Sequence, residues 1–234
     1  MKLLLGSSNP AKLARLRWML EGLPISLVAP AEAGAKITLA EMGSEVVPTG
    51  TGPIVAHGAV RVEPLVEEGD ASLRANAEAK AAAWANAYEL LCLATDGGLS
   101  VPALGDRWRP ALTRRAAGAH AKDEERAAHL LRLMQNLEGK QRRAYLVEAA
   151  ALAYPNGSLV GSWEARSDAW VVAQTYDPRG LPAGFWLPGV LLFDSGRRYG
   201  DLTPEERVAV DTHWGRLRPA VRHAVSALIK RDGS

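Results

Sequence analysis

Lys2-Leu-Leu-Leu-Gly6-Ser7-Ser8-Asn9-Pro10-Ala11-Lys12 joins a short apolar strand to a small-residue turn and then to a helix start. Asn9 is a good N-cap, Pro10 suits the first helical position, and Leu13, Leu16 and Leu20 recur at helical spacing. The turn therefore sits on a helix N-terminus, where unpaired amides and the positive dipole end face outward and favour an anion. Ser8 and Asn9 lie in that turn, and Lys12 adds a full charge where a phosphate would land. The Gly-x4-Gly-Lys-Ser/Thr spacing of a Walker A loop is absent. A strand, a polar turn and a helix also open many α/β proteins, and Lys12 reads equally as a solvated first-turn lysine.

Outward from this junction, strand-like and helix-like segments alternate, which predicts an α/β architecture. Ile25–Val28 reads as a second strand. Residues 36–62 change character, with Gly43, Pro48, Gly50, Gly52, Pro53 and Gly58 punctuating short β-prone pieces, and read as an inserted β-rich arm. A helix is predicted from Ser72, its N-cap, to about Tyr88, with Leu73, Ala77, Trp84 and Tyr88 on the packed side. Leu90–Ala94 is the next strand. Lys122 to about Leu137 reads as a helix, with Leu130, Leu133 and Leu137 facing in. Tyr145–Tyr154 is a long apolar strand, and Ser162–Gln174 alternates enough to pair with it as a hairpin. Pro204–Ile229 reads as helix broken near Thr212–Gly215 and at Pro219. The whole chain, 1–234, is expected to be one domain carrying the insertion.

Composition narrows the classes. With 234 residues and 47% hydrophobic content the chain can bury a large core. The 28 basic and 26 acidic side chains nearly cancel and are spread along the chain, so nothing demands nucleic acid. The one cysteine, Cys92, lies in an apolar strand and excludes an internal disulfide. Three leucines before Gly6 are too short for a signal-peptide core, and no apolar run approaches the ~20 residues of a membrane span. A cytoplasmic protein with no membrane partner is the expectation.

A second chemical clue is Thr95-Asp96-Gly97-Gly98-Leu99, placed just after the Leu90–Ala94 strand. Ligands of α/β sheets bind at the carboxyl ends of strands, where Asp96 is suited to act as a catalytic carboxylate. The adjacent glycines allow a phosphate or metal to approach the backbone. Glu67 and Glu68 offer further carboxylates, and with Asp96 they form an oxygen-donor set suited to magnesium. Asp-Gly is equally a common turn, and Glu-Glu equally a solvated loop pair.

Taken in order, these pieces resemble the inosine/xanthosine triphosphate pyrophosphatase family, whose members hydrolyse non-standard purine nucleoside triphosphates. Ser8-Asn9-Pro10-Ala11-Lys12 is similar to its Thr-Gly-Asn-x-x-Lys phosphate loop. Glu67-Glu68-Gly69 and Ser72 through Ala81 resemble its Glu-Glu-Thr-Gly and Phe-x-Glu-Asn-Ala-x-x-Lys-Ala segments, and Ala94–Leu99 stands for Ala-Asp-Asp-Ser-Gly-Leu. Further similar strings follow in family order around Arg115, Arg142-Arg143-Ala144-Tyr145 and Pro178-Arg179-Gly180.

The resemblance implies an elongated central mixed β-sheet flanked by helices, magnesium-dependent release of pyrophosphate, and a homodimer. It assigns Asp96 as proton acceptor and metal contact alongside Glu67 and Glu68. Ser8, Asn9, Lys12, Asn76, Lys80, Gly97, Trp186, Arg207 and His213 become substrate contacts. Asn76 and Lys80 lie four apart on one helix face and can reach one cleft, although Lys80 reads equally as an exposed lysine. Trp186 is equally a core residue or a base-stacking one. His213 matches the family histidine only if a gap is allowed; without it, Arg207 stands for the family lysine and no histidine matches.

The chain also departs from the family pattern. Thr95 stands for the first aspartate, Gly97 for the serine, Ala75 for a glutamate, and Leu187 for an aspartate on the base side. An alternative follows from these losses: a catalytically weak nucleotide-binding or scaffolding relative.

Overall fold

The computed structural model describes residues 1–33, 64, 72–181, 184–193, 196–210 and 212–232. The expected arm at 36–62 and the Glu67-Glu68 pair lie outside these residues. The strands are β1 (Lys2–Gly6), β2 (Ser26–Val28), β3 (Leu91–Ser100), β4 (Arg143–Ala153), β5 (Leu159–Arg166), β6 (Trp170–Val172) and β7 (Leu191–Leu192). The α-helices are α1 (Pro10–Leu20), α2 (Leu73–Tyr88), α3 (Asp123–Leu133), α4 (Pro204–Val210) and α5 (Thr212–Asp232).

The sheet is mixed, as expected. Its order is β2-β1-β3-β4-β6-β7, and β5 also pairs with β4. β1 runs parallel to β2 and β3, while β4 is antiparallel to β3, β5 and β6. The period-two alternation of a strand sorts side chains to two faces. Leu3 and Leu5 join Leu93, Ala150 and Leu152 beneath α1 and α5, whereas Leu4 joins Cys92, Ala94, Ala149 and Ala151 beneath α2. That second face is alanine against alanine, since α2 contributes Ala77, Ala81 and Ala85. Burying each of the three leucines of β1 contributes about 1.5–3 kcal/mol. Cys92 is fully buried as expected, and burial pushes its thiol pKa up.

α2 starts where the sequence places it, with Ser72 Oγ accepting from Ala75 N at 3.0 Å. Other boundaries differ. β3 does not stop at Ala94, because β4 pairs with it residue by residue from Cys92 through Ser100. Thr95-Asp96-Gly97-Gly98 is therefore strand, not a turn following one. The single strand expected over 162–174 is two: β5 takes the far half of the β4 edge, and β6 pairs at Arg143 and Ala144. Between them, Ser167 Oγ accepts from Leu146 N and Trp170 Nε1, which fixes the corner. α3 ends at Leu133, short of the expected Leu137.

α5 runs through both Gly215 and Pro219 without a break. A helical proline crowds the carbonyl four residues back. That residue is Gly215, whose surroundings are open. Trp214, Leu217, Val221, Val225 and Leu228, at spacings of three and four, hold the helix on the sheet through burial.

Candidate active site

The pairing of β1 with β3 ends at Gly6 opposite Ala94. Beyond that point β3 continues without β1 beside it. Lys12 reaches this edge: its ammonium donates to the Thr95 carbonyl at 3.4 Å. Lys12 and the Asp96 segment thus share one end of the sheet, at the carboxyl end of β1.

The turn before α1 is more self-satisfied than the sequence reading expects. Asn9 Oδ1 accepts from Ala11 N at 2.9 Å and Lys12 N at 3.4 Å, and Ser7 Oγ accepts from Asn9 N at 3.1 Å. Pro10 has no amide hydrogen. The first-turn amides are consumed by the cap, so Lys12 is the group this element presents toward the edge of β3.

Asp96 points to the opposite face of β3, toward α2. Its Oδ1 lies 2.6 Å from Lys80 Nζ, and its Oδ2 accepts from Asn76 Nδ2 at 3.1 Å. Asn76 is 2% exposed and Asp96 8%. The four-residue spacing on α2 does bring both side chains to one carboxylate, and Lys80 is a partner of Asp96 rather than a free surface lysine. Both donors stabilise the ionised carboxylate and fix its orientation.

The two glycines serve a different purpose from the one expected. A Cβ on Gly97 would lie 2.0 Å from Glu148 Oε2, and one on Gly98 would lie 2.1 Å from the Pro110 carbonyl oxygen. Thr113 Oγ1 holds that neighbouring segment, accepting from Leu99 N and donating to Pro110 O. The glycines make room for protein groups.

Glu148, missed by the sequence reading, is the largest addition to the site. It is 6% exposed, pairs with Gly97 across the strands, and sets Oε1 3.2 Å from Lys12 Nζ. The signal was a lone acidic residue inside the apolar run of β4. Lys12 and Lys80 against Asp96 and Glu148 leave these four groups balanced in charge.

Other expected site residues fall elsewhere. Trp186 is buried in a core cluster with Leu99, Trp108, Trp170 and Val190, which corresponds to the core side of its two readings. His213 is buried at the start of α5 beside Trp214, with ring centres 6.2 Å apart. The Arg207 side chain lies outside the described residues. Ser8 is half-buried in the turn before α1. Arg142, part of one of the family-like strings, is a buried structural group. Its guanidinium donates to the carbonyls of Met134, Leu137, Val172 and Ala173.

Among the described residues no three His, Cys, Asp or Glu side chains converge as a ready-made metal cage. The donors at the β3 edge are nonetheless oxygens: the Asp96 and Glu148 carboxylates and the buried Thr95 hydroxyl, which has no hydrogen-bond partner among the described residues. Their chemistry suits a hard divalent cation, but Asp96 faces α2 while Thr95 and Glu148 lie on the other face of β3, so they do not form one ligand set.

Fold and site define a class, an α/β protein that, among the described residues, gathers ammonium and carboxylate groups where β3 runs past its pairing with β1. The model of the Ham1 family matches residues 3–215, and the chain belongs to that family. A dITP/XTP pyrophosphatase of Mycobacteroides abscessus is 34% identical over 237 residues, covering 97% of each chain. Another with the same name, from an Anaeromyxobacter species, is 31% identical over 269 residues, covering both chains fully. Among solved structures, a nucleoside-triphosphatase / dITP/XTP pyrophosphatase from Mycobacterium abscessus superposes with a TM-score of 0.62 at 30% identity, over 94% of this chain and 98% of that one. A HAM1 protein from Coxiella burnetii gives a TM-score of 0.68 at 22% identity, over 97% and 99%, and supports the fold.

Proposed function

We propose that this chain hydrolyses non-standard purine nucleoside triphosphates, of the dITP and XTP type, to the monophosphate and pyrophosphate. The observation that carries the reading is that, just past the end of the β1–β3 pairing, Lys12 reaches the Thr95 carbonyl from one face of β3 while Asn76 and Lys80 hold the neighbouring Asp96 on the other. Family membership and the names of its relatives supply the substrate class.

In this reading Lys12 contacts the phosphates from the α1 side. Asp96, oriented by Asn76 and Lys80, accepts a proton from the attacking water. The water oxygen bonds to the α-phosphorus, the bond from that phosphorus to the bridging oxygen breaks, and pyrophosphate leaves. Asp96 with Glu67 and Glu68 would hold a divalent ion, as the family's metal dependence implies. When bound, that ion lowers the negative charge facing the water and stabilises the leaving pyrophosphate. The balanced charge of the four described ionic groups gives such an ion a clear purpose, because a triphosphate adds several negative charges. Magnesium as the ion, a homodimer and a cytoplasmic location complete the proposal, supported by the family resemblance alone.

A catalytically weak scaffold is not favoured. Lys12, Asn76, Lys80 and Asp96 are all kept, although the departures at Thr95 and Gly97 flank Asp96 and Ala75 precedes Asn76; Leu187 packs against the core cluster around Trp186. The test is a panel of dITP, XTP, ITP, ATP and GTP incubated with the pure protein, with magnesium or with a chelator. Pyrophosphate release from the non-standard purines, abolished by the chelator, is expected. Nucleotide binding with no turnover of any member would instead establish the scaffold, and orthophosphate as the product would refute the assigned bond.

A further inference from the structure

We infer that Glu148 is a positioning residue for the phosphate-binding lysine, and that position 97 is glycine because the Glu148 carboxylate occupies the space of a side chain there. The inference rests on the proposed function for what Lys12 binds, but its geometry stands alone.

β3 and β4 place Gly97 and Glu148 directly opposite each other, and their shared face is the one on which Thr95 lies. A buried carboxylate in an otherwise apolar strand carries a desolvation cost that only a charged or hydrogen-bonded partner offsets. Among the described residues Lys12 is the cation in ion-pair contact with it, at 3.2 Å. Lys80, the other ammonium of the site, is engaged by Asp96 on the opposite face.

Lys12 is thus held by a 3.4 Å hydrogen bond to the Thr95 carbonyl and by the charge of Glu148, whose Oε1 lies 3.2 Å away with no hydrogen-bond partner among the described residues, and its side chain remains 27% exposed. A lysine stem otherwise samples many rotamers, and fixing it costs conformational entropy at the moment of binding. Glu148 meets that cost within the fold, so the ammonium already lies at the strand edge when phosphate arrives. The opposing Gly97 is the enabling residue, because a Cβ there would displace the carboxylate.

Two variants perturb this arrangement from different sides. Glu148→Gln keeps the shape and removes the charge, and Gly97→Ala leaves the carboxylate intact but pushes it off Lys12. Each is measured alone and together with Lys12→Met. The readouts are melting temperature, turnover of dITP, and calorimetric binding of inorganic tripolyphosphate. Both variants are expected to lower kcat at least about tenfold and to change tripolyphosphate affinity at least about threefold, and both effects should disappear in the Lys12→Met background.

Wild-type kcat and tripolyphosphate affinity in folded Glu148→Gln would overturn the inference, as would losses that persist in full alongside Lys12→Met. If the wild-type protein hydrolyses nothing, the functional reading fails by itself. The tripolyphosphate measurements then decide the role of Glu148: an affinity change that depends on Lys12 supports it, and its absence refutes it.

Discussion

Asp96→Asn is expected to reduce turnover of dITP about a thousandfold while leaving nucleotide affinity within a few-fold of wild type, as for loss of a general base. Asparagine keeps the size of the side chain and an oxygen able to accept from Asn76. It removes the negative charge facing Lys80 and the group that takes the proton. Lys80 then loses the carboxylate now 2.6 Å from its ammonium, so a moderate fall in melting temperature accompanies the kinetic loss. Steady-state kinetics beside calorimetric nucleotide binding separates the two effects. Turnover within threefold of wild type would remove Asp96 from the chemistry. A loss confined to KM would make it a binding residue only.

Arg142→Ala is expected to destabilise the fold by about 3–5 kcal/mol, the scale for stranding buried polar groups that share one charged partner. The guanidinium is 4% exposed and bonds four backbone carbonyls at 2.6–3.1 Å. Met134 and Leu137 belong to the end of α3 and the turn after it, and Val172 and Ala173 to the end of β6, so one side chain ties three elements to the start of β4. Removing it strips a charged donor from four carbonyls, of which Met134 keeps a backbone partner in the Leu137 amide. Arg142→Lys should recover only part of the loss, because one ammonium cannot reproduce a planar fork of donors. Denaturant unfolding measures both, and a loss below 1 kcal/mol for the alanine variant would show that the carbonyls find other partners.

Local signals in the sequence served well where the physics is local. The Asn9-Pro10 helix start, the Ser72 cap and the buried Leu-Cys-Leu strand all lie where short-range rules put them. The Asn76 and Lys80 pair was also readable, since helical spacing alone sets both on one side. What failed depends on distant partners. Asp-Gly-Gly carries turn chemistry, yet it stays extended because β4 pairs along its whole length. The roles of Gly97 and Gly98 are defined by Glu148 and Pro110, which are remote in sequence. Pro219 reads as a break, but the apolar stripe of α5 outweighs one lost hydrogen bond. Arg142 could not be told from a surface charge until the carbonyls around it were known. Glu148 was legible in principle, as a charge in the middle of a buried strand, and its meaning waited on Lys12.

In the proposed reaction water attacks the α-phosphorus at the strand end that carries Lys12 and Asp96. The most direct measurement is hydrolysis of dITP by the wild-type protein in water enriched in the heavy oxygen isotope, with both products weighed by mass spectrometry. One heavy oxygen is expected in the deoxyinosine monophosphate and none in the pyrophosphate. Heavy oxygen in the pyrophosphate would place the attack on the β-phosphorus and contradict the proposed reaction.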